Sequence, residues 1–114
     1  MPYLMIQTNQ TIDATASKSL LAAASKLVAA ELGKPENYVM VALEAEVPML
    51  FAGTDAPLAY LELKSIGLPE NKTAALSKAL CGLIEQSTSI SQDRIYIEFA
   101  DATRAMWGWN GATF

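Results

Sequence analysis

The chain has 114 residues, of which 52% are apolar and 18% are charged, so it has the length of one domain and the composition of a folded one. Its net charge is −4, and its eight lysine and arginine residues form no run, which excludes a basic surface for nucleic acid. One cysteine and no histidine exclude an internal disulfide and a Cys/His metal site, and we expect no metal and no other cofactor.

The N-terminal residues lack the basic start and long apolar run of a secretion signal. No stretch of about 18 apolar residues occurs that could span a bilayer. We therefore predict a soluble cytoplasmic protein with no membrane contact, and export without a leader stays open as an alternative.

The first strand and the first helix are predicted within residues 1–35. Residues 3–8 form an apolar run that favours a strand covered on both faces. Asp13 is a suitable helix N-cap, Gly33 a suitable helix end, and Pro35 prevents the helix from resuming. The apolar residues that share one face of this helix are Leu20, Leu21, Ala24, Leu27, Val28 and Leu32.

The remaining strands and the second helix follow the same pattern. Strands are predicted at 38–44, 58–64 and 94–99, and Pro69 with Glu70 opens a helix between the last two. The apolar face of this helix is Leu76, Leu80, Leu83 and Ile84. The single cysteine, Cys81, lies in that helix, and we predict a core residue rather than a nucleophile.

The two halves of this single predicted domain (1–114), about residues 2–56 and 57–114, repeat one strand–helix–strand plan. Each half is predicted to be a βαβ unit with parallel strands. Together they predict an α/β fold: a four-stranded mixed sheet with both helices on one face. The other face would then be apolar and uncovered, so we expect it to meet another subunit.

The C-terminal segment, residues 100–114, is rich in aromatic residues beside glycine turns. Its Trp107, Trp109 and Phe114 are typical of a docked segment rather than a frayed one. Docking on its own domain and docking on a neighbouring subunit both fit this pattern.

Several short motifs occur in order along the chain. They are Met1-Pro2, Gln7-Thr8-Asn9, Gly33-Lys34-Pro35, Ser65-Ile66-Gly67, Leu80-Cys81-Gly82-Leu83, Asp93-Arg94-Ile95-Tyr96-Ile97 and Gly108-Trp109-Asn110 with Thr113-Phe114. On the doubled βαβ plan, this series resembles macrophage migration inhibitory factor and its D-dopachrome tautomerase relatives over nearly the whole chain. The resemblance implies a homotrimer whose three sheets face inward, which would cover the open sheet face. It also implies a tautomerase, an isomerase of phenylpyruvate-like or dopachrome-like substrates, which are small aromatic keto or enol acids.

The resemblance also implies roles for individual residues. Pro2 matches the catalytic base, an N-terminal proline that is exposed when Met1 is removed, and Tyr96 matches a tyrosine contributed by the adjacent subunit. The positions that match the pocket lining are Lys34, Ser65 and Ile66. The residues at or near the apolar walls are Tyr3, Tyr38, Trp107, Trp109 and Phe114.

The chemistry of tautomerisation suits an N-terminal proline. The reaction needs a base and acid at the carbon and a stabilising group at the oxygen. An ordinary α-amine titrates at about pH 8. Burial in an apolar pocket and a nearby cation such as Lys34 would lower the pKa of the Pro2 amine toward neutrality. The proline ring also holds the nitrogen in one direction.

Each of these residues also has an ordinary structural explanation. Pro2 can begin a strand, where its missing N–H does no harm, and Lys34 can complement the dipole at a helix end. Ser65 and Ile66 can simply end a strand, although their backbone amides are also suited to hold substrate oxygens. Tyr96 is predicted to point away from its two strand neighbours, either into the core or into a neighbour's pocket.

Three positions depart from the family pattern. Glu98 stands where the mammalian cytokine has an asparagine near the pocket mouth, and a carboxylate there would repel anionic substrates and raise the pKa of the Pro2 amine. We therefore expect a different substrate preference. Trp107 is bulkier than the corresponding aliphatic residue and is expected to narrow the pocket. Residues 58–61 contain no sulfur where mammalian members carry Cys-x-x-Cys, so we expect no thiol–disulfide exchange.

Two other functions stay open at this stage. The protein could be a cytokine-like receptor-binding protein whose tautomerase pocket is a relic, although no residue specifically supports receptor binding. It could also be a purely structural trimer, in which the Pro2 amine would keep an ordinary pKa.

Overall fold

A strand–helix–strand order occurs twice, and a two-stranded hairpin ends the chain, in a computed structural model that describes residues 1–114. The elements are β1 (Tyr3–Thr8), α1 (Ala14–Leu32), β2 (Met40–Glu44), β3 (Ala59–Ile66), α2 (Thr73–Thr88), β4 (Ile95–Ala102), β5 (Gly108–Trp109) and β6 (Ala112–Thr113). Neither helix is long and apolar enough to cross a membrane.

The four long strands form one mixed sheet in the order β2-β1-β3-β4. β1 is parallel to β2 and β3 is parallel to β4, so each half is a βαβ unit as predicted. The two units join through the antiparallel pair β1–β3, in which Tyr3 lies opposite Lys64 and Thr8 lies opposite Ala59. The predicted fold class is confirmed.

The predicted caps of α1 are both present. The Asp13 carboxylate accepts a hydrogen bond from the Ala16 amide at 2.8 Å, which satisfies one of the free N–H groups of the first turn. Gly33 ends the helix with φ at 62°, in the left-handed region that glycine adopts without a Cβ clash. α2 begins later than predicted, at Thr73, because a 3₁₀ turn over Glu70–Lys72 comes first.

Two predicted strands also begin later than expected, and for the same reason in each half. Tyr38 and Arg94 were predicted as first strand residues, but each ends a 3₁₀ turn. The Tyr38 amide donates to the Pro35 carbonyl at 3.2 Å, and the Arg94 amide donates to the Ser91 carbonyl at 2.9 Å. The duplication of the chain therefore includes these turns.

One hydrophobic core contains residues of both halves. It includes alternate residues of the central strands, such as Leu4, Ile6, Leu61 and Leu63, which pack against both helices. Cys81 is 8% exposed and belongs to this core, as predicted. The buried helix positions are Leu20, Ala24, Val28, Leu32, Leu76, Leu80 and Ile84, whereas Leu21, Leu27 and Leu83 are half-buried at the edges of the two faces. Burial of each leucine contributes about 1.5–3 kcal/mol.

The opposite face of the sheet is mixed rather than apolar, which corrects the prediction. Side chains alternate along each strand, and most polar residues within the strands point to this face, whereas Thr8 and Ser65 are buried on the core face. The polar residues of the open face are Gln7, Glu44, Glu62, Lys64 and Glu98, and they lie among Tyr3, Met5, Met40, Tyr60 and Tyr96. Whatever covers this face must therefore satisfy carboxylates as well as bury apolar side chains.

Candidate active site

A cavity of about 240 Å³ lies beside the first residues of the chain. The Met40 amide donates to the Pro2 carbonyl at 3.0 Å, which holds this end of the chain along β2. The cavity is lined by Met1, Pro2, Tyr3, Asn37, Tyr38, Val39, Met40, Trp107, Gly108, Trp109 and Phe114. The structure thus brings Pro2 together with all five residues predicted for the apolar walls.

The C-terminal hairpin forms the aromatic wall of this cavity. Its turn at Asn110 and Gly111 has φ values of 53° and 75°, which asparagine and glycine tolerate and which a tight hairpin requires. Trp109 stacks on Phe114 with ring centroids 5.4 Å apart. Tyr38 meets both rings edge-on, at 5.8 Å and 6.1 Å. The C-terminal segment therefore docks on its own chain.

Lys34 reaches the site from the end of α1. Its ammonium group donates to the Ile66 carbonyl at 2.5 Å, which joins the helix end to the last residue of β3. Burial lowers the pKa of Lys34, Asp101 opposes this shift and Arg104 adds to it. Ser65 lies beside this contact, but its side chain is fully buried on the core face.

The electrostatic environment of the chain terminus favours a neutral amine. Pro2 is almost completely buried, and in this chain its nitrogen forms the peptide bond to Met1. Burial lowers the pKa of the Met1 α-amine, and the positive charge of Lys34 lowers it further. Lys34 is therefore close enough to act on a charge at this end of the chain.

Tyr96 and Glu98 do not reach this cavity within one chain. The strand register places Ser65 opposite Asp101, and Pro2 continues β1 at the same level of the sheet. Tyr96 lies five residues before Asp101 on β4, which is roughly 17 Å away along the strand direction. Its ring is 64% exposed. The predicted site residues thus form two separate groups in a single chain.

Tyr96 belongs instead to a second cavity, of about 510 Å³, at the other end of the sheet. Eight hydrophobic residues line it, namely Met49, Leu50, Phe51, Ala52, Leu58, Ala59, Tyr60 and Tyr96. The ring of Tyr96 packs on that of Phe51 with the centroids 4.5 Å apart. Because Leu50 is 71% exposed, this cavity is open to its surroundings.

Glu98 is held in a small polar cluster on the exposed sheet face. The Tyr60 hydroxyl lies 2.6 Å from a carboxylate oxygen of Glu98 and 3.1 Å from one of Glu62, so the two carboxylates share one donor. The hydrogen bond to Glu98, then burial and Glu62, raises the pKa of Tyr60. Lys64 pairs with Glu62 at 3.5 Å and partly balances the cluster.

Two charged residues near Lys34, Asp101 and Arg104, were not predicted from the sequence. Asp101 accepts a hydrogen bond from the Leu68 amide at 2.9 Å, and both Asp101 and Arg104 act on the pKa of Lys34. The last strand was predicted to end at residue 99, whereas β4 continues to Ala102 beside Ile66. That longer strand brings both residues to the site, and the apolar run did not indicate it.

Two βαβ units in one mixed sheet, with an apolar cavity around a proline at position 2, define a tautomerase-superfamily fold. The sequence profile of the family described as macrophage migration inhibitory factor (MIF) matches residues 1–114. The chain belongs to the macrophage migration inhibitory factor family.

Individual relatives agree with this assignment. The chain is 36% identical over 115 residues to macrophage migration inhibitory factor of Mus musculus, covering 100% of this chain and 99% of the relative. It is 37% identical to the macrophage migration inhibitory factor homolog of Brugia malayi, with the same coverage. The crystal structure of the homologue from Prochlorococcus marinus superposes with a TM-score of 0.94 at 47% identity, covering 98% of each chain. The factor from Trichinella spiralis superposes with a TM-score of 0.90 at 32% identity, covering 98% of this chain and 99% of that one.

Proposed function

We propose that this protein is a keto–enol tautomerase of phenylpyruvate-like or dopachrome-like substrates, with Pro2 as general base and acid after removal of Met1. The observation that carries the proposal is the setting of Pro2. It is buried in the wall of an apolar, aromatic cavity, and burial together with Lys34 lowers the pKa of the Met1 α-amine that precedes it. These are the conditions under which an amine works as a base near neutral pH.

The cavity residues suit each part of the reaction. In ketonisation, the protonated Pro2 amine gives its proton to the enol carbon, the enol oxygen releases its proton to water, and the neutral amine then regains a proton from water. In the reverse direction, the neutral amine takes the proton from the carbon next to the carbonyl. The Lys34 ammonium group is suited to bind the substrate carboxylate, and the Tyr38, Trp109 and Phe114 rings supply apolar walls for an aromatic substrate.

We further propose that the active assembly is a homotrimer with the sheets facing inward. Pro2 and Tyr96 lie roughly 17 Å apart along one sheet, so one chain does not supply both to one substrate. Head-to-tail contacts around a three-fold axis would place Tyr96 of one copy against Pro2 of the next. The mixed sheet face, including the Tyr60, Glu62 and Glu98 cluster, would then line the interior.

Glu98 supports a preference among substrates. It lies two residues beyond Tyr96 on the same exposed face, so a copy that donates Tyr96 also brings a carboxylate. The Tyr60 hydroxyl holds this carboxylate in place. We propose that Glu98 disfavours doubly or singly anionic substrates relative to their neutral esters. Glu98→Asn should then raise activity on hydroxyphenylpyruvate relative to a dopachrome ester, and an unchanged ratio would remove Glu98 from the specificity of the enzyme.

The central experiment measures ketonisation of the enol form of phenylpyruvate by wild-type protein and Pro2→Ala. Both second residues are small and permit Met1 removal, which mass spectrometry verifies, so the two proteins differ in the amine alone. Turnover should fall by up to about 10²–10⁴-fold in Pro2→Ala, the usual contribution of a positioned general base, because the primary amine of alanine turns freely and is no longer held in one direction. Protein that retains Met1 should also be inactive, because its Pro2 nitrogen is an amide.

Pro48→Ala is the matched control, because Pro48 is exposed in the segment between β2 and β3. It should keep wild-type turnover. Equal turnover by wild-type protein, Pro2→Ala and the Met1-retaining form would overturn the proposed function.

A further inference from the structure

Arg94 holds the segment 51–57, which belongs to the connection between β2 and β3. Its guanidinium group donates to the carbonyls of Phe51 at 2.7 Å, Ala56 at 2.8 Å and Thr54 at 3.2 Å, and its Nε donates to that of Pro57 at 3.4 Å. Four of the five guanidinium N–H bonds therefore serve one short segment. No carboxylate pairs with Arg94, since Lys64–Glu62 is the only salt bridge of the chain.

The segment held by Arg94 begins with a strained turn. Phe51 and Thr54 exchange backbone hydrogen bonds at 3.0 Å and 3.1 Å around Ala52 and Gly53. Ala52 has φ at 53°, in the left-handed region that residues with a Cβ seldom adopt. A turn with such a residue needs support from its surroundings, and Arg94 supplies it at both Phe51 and Thr54.

The same arginine reaches Tyr96 through one aromatic ring. The guanidinium carbon of Arg94 lies over the Phe51 ring, 5.1 Å from its centroid. The Tyr96 ring lies 4.5 Å from the same centroid. Tyr96 is 64% exposed and otherwise projects from an open sheet face, so Phe51 is the aromatic support that sets its direction.

We propose that Arg94 is a positioning residue for Tyr96: it fixes the turn that carries Phe51, and Phe51 orients the tyrosine. This inference rests on the proposed function, in which Tyr96 contacts the substrate bound beside Pro2 of a neighbouring copy. Arg94 itself contacts no substrate. Its effect is to hold the Tyr96 ring in a single direction before the substrate arrives, so that little freedom is lost on binding.

The kinetic test compares wild-type protein with Arg94→Gln, Arg94→Lys and Phe51→Leu. We expect KM for the enol of phenylpyruvate to rise about tenfold in Arg94→Gln, with kcat changed less than about twofold, because substrate binding loses a preoriented contact. The pH profile of kcat/KM should keep its shape, since the Pro2 amine is untouched. Arg94→Lys should restore part of the loss, because an ammonium group retains the charge but lacks the planar fork that reaches several carbonyls. Lys26→Gln, which removes an exposed helix cation with no hydrogen bond, should leave both constants unchanged.

The structural test follows the Tyr96 ring directly by NMR of protein with labelled tyrosine, assigned with Tyr96→Phe. In Arg94→Gln the Tyr96 ring resonances should move toward the positions seen in Phe51→Leu, where the ring contact is lost. Unmoved Tyr96 resonances, or an unchanged KM in Arg94→Gln, would overturn the proposal. If wild-type protein shows no Pro2-dependent turnover, the proposed function fails, and the resonances still decide whether Arg94 orients Tyr96. Sedimentation of each variant shows whether a rise in KM comes from dissociation of the assembly. If Arg94→Gln dissociates, Arg94→Lys and Phe51→Leu decide the proposal instead.

Discussion

The cavity beside Pro2 and the cavity beside Tyr96 differ in what closes them. The Pro2 cavity, of about 240 Å³, is walled by its own C-terminal hairpin, and its rings stack against one another. The Tyr96 cavity, of about 510 Å³, opens onto the sheet face and leaves Tyr96 and Leu50 exposed. Both are built on the same duplicated plan and both contain a tight turn with two left-handed residues. The difference teaches that one end of the sheet is finished by its own chain, whereas the other is left open, as the proposed trimer requires.

The prediction with the largest expected effect tests whether Pro2 and Tyr96 act in one site between copies, by mixing two impaired variants. Pro2→Ala replaces the secondary amine that the proline ring holds in one direction with a freely turning primary amine, and Tyr96→Ala lacks the contact donated to the neighbour, so each alone should be impaired. If the site lies between copies, equal amounts refolded together should regain about a quarter of the wild-type sites, since each site needs Pro2 from one copy and Tyr96 from the next. Turnover of the refolded mixture, compared with each variant refolded alone, measures this. A mixture no more active than the sum of its parts would mean that Pro2 and Tyr96 do not share a site.

A smaller effect concerns the charge beside the Pro2 cavity. Lys34 lowers the pKa of the Met1 α-amine. We expect the same charge to act on the Pro2 amine of the processed protein, so Lys34→Gln should raise the pKa of that amine. The protonated form then persists to higher pH. The acidic limb of the kcat/KM profile for enolisation, in which the neutral amine is the base, should therefore move to higher pH. We also expect kcat/KM at its maximum to fall about tenfold through the lost carboxylate contact. Lys26→Gln is the control at an exposed helix position. An acidic limb that stays in place would contradict the role of Lys34 in setting this pKa.

The smallest effect compares the two tight turns. Gly111 closes the hairpin beside the Pro2 cavity and Gly53 lies in the turn beside Tyr96, each with φ at 75° and with open space where a Cβ would stand. Alanine at either position should therefore cost a similar free energy of unfolding, about 1–2 kcal/mol, from backbone strain alone. Urea unfolding at one fixed protein concentration measures both. Unequal costs would contradict backbone strain as the common cause and would show that one turn is held by contacts beyond its own backbone.

The sequence correctly predicted the helix ends that depend only on residues close together in the chain. Asp13 and Gly33 bound α1 as predicted, because capping involves a side chain and the backbone a few residues away. The predicted starts of β2 and β4 were wrong. Tyr38 and Arg94 directly precede strand-forming runs, but each is the last residue of a 3₁₀ turn. The exposed sheet face was also misjudged, because an apolar run was interpreted as covered on both sides although Gln7 and Glu62 alternate within the strands.

Some residues of the candidate site were predicted from the sequence, and others were not. The motifs around Pro2 and Lys34 predicted a site at the start of β1, where the structure has an apolar cavity, and the aromatic tail docks as expected. The contacts of Arg94 were invisible in the sequence, because its partners are backbone carbonyls 37 to 43 residues away and carry no residue signature. Asp101 and Arg104 were missed because the pairing of β4 with β3, rather than any apolar pattern, extends that strand to Ala102.

By itself, the sequence determined the doubled strand–helix–strand order, the caps of α1, the core faces of the helices and the family, because each of these depends on residue types at short, regular spacing. Only the tertiary structure decided that Tyr38, Trp109 and Phe114 form one wall beside Pro2, that Tyr96 lies at the far end of the sheet, and that Glu98 shares the Tyr60 hydroxyl with Glu62. These arrangements follow from strand register and from the docking of segments that are distant in the chain. Local sequence patterns allow several such contacts equally, and small differences in packing free energy decide which of them form.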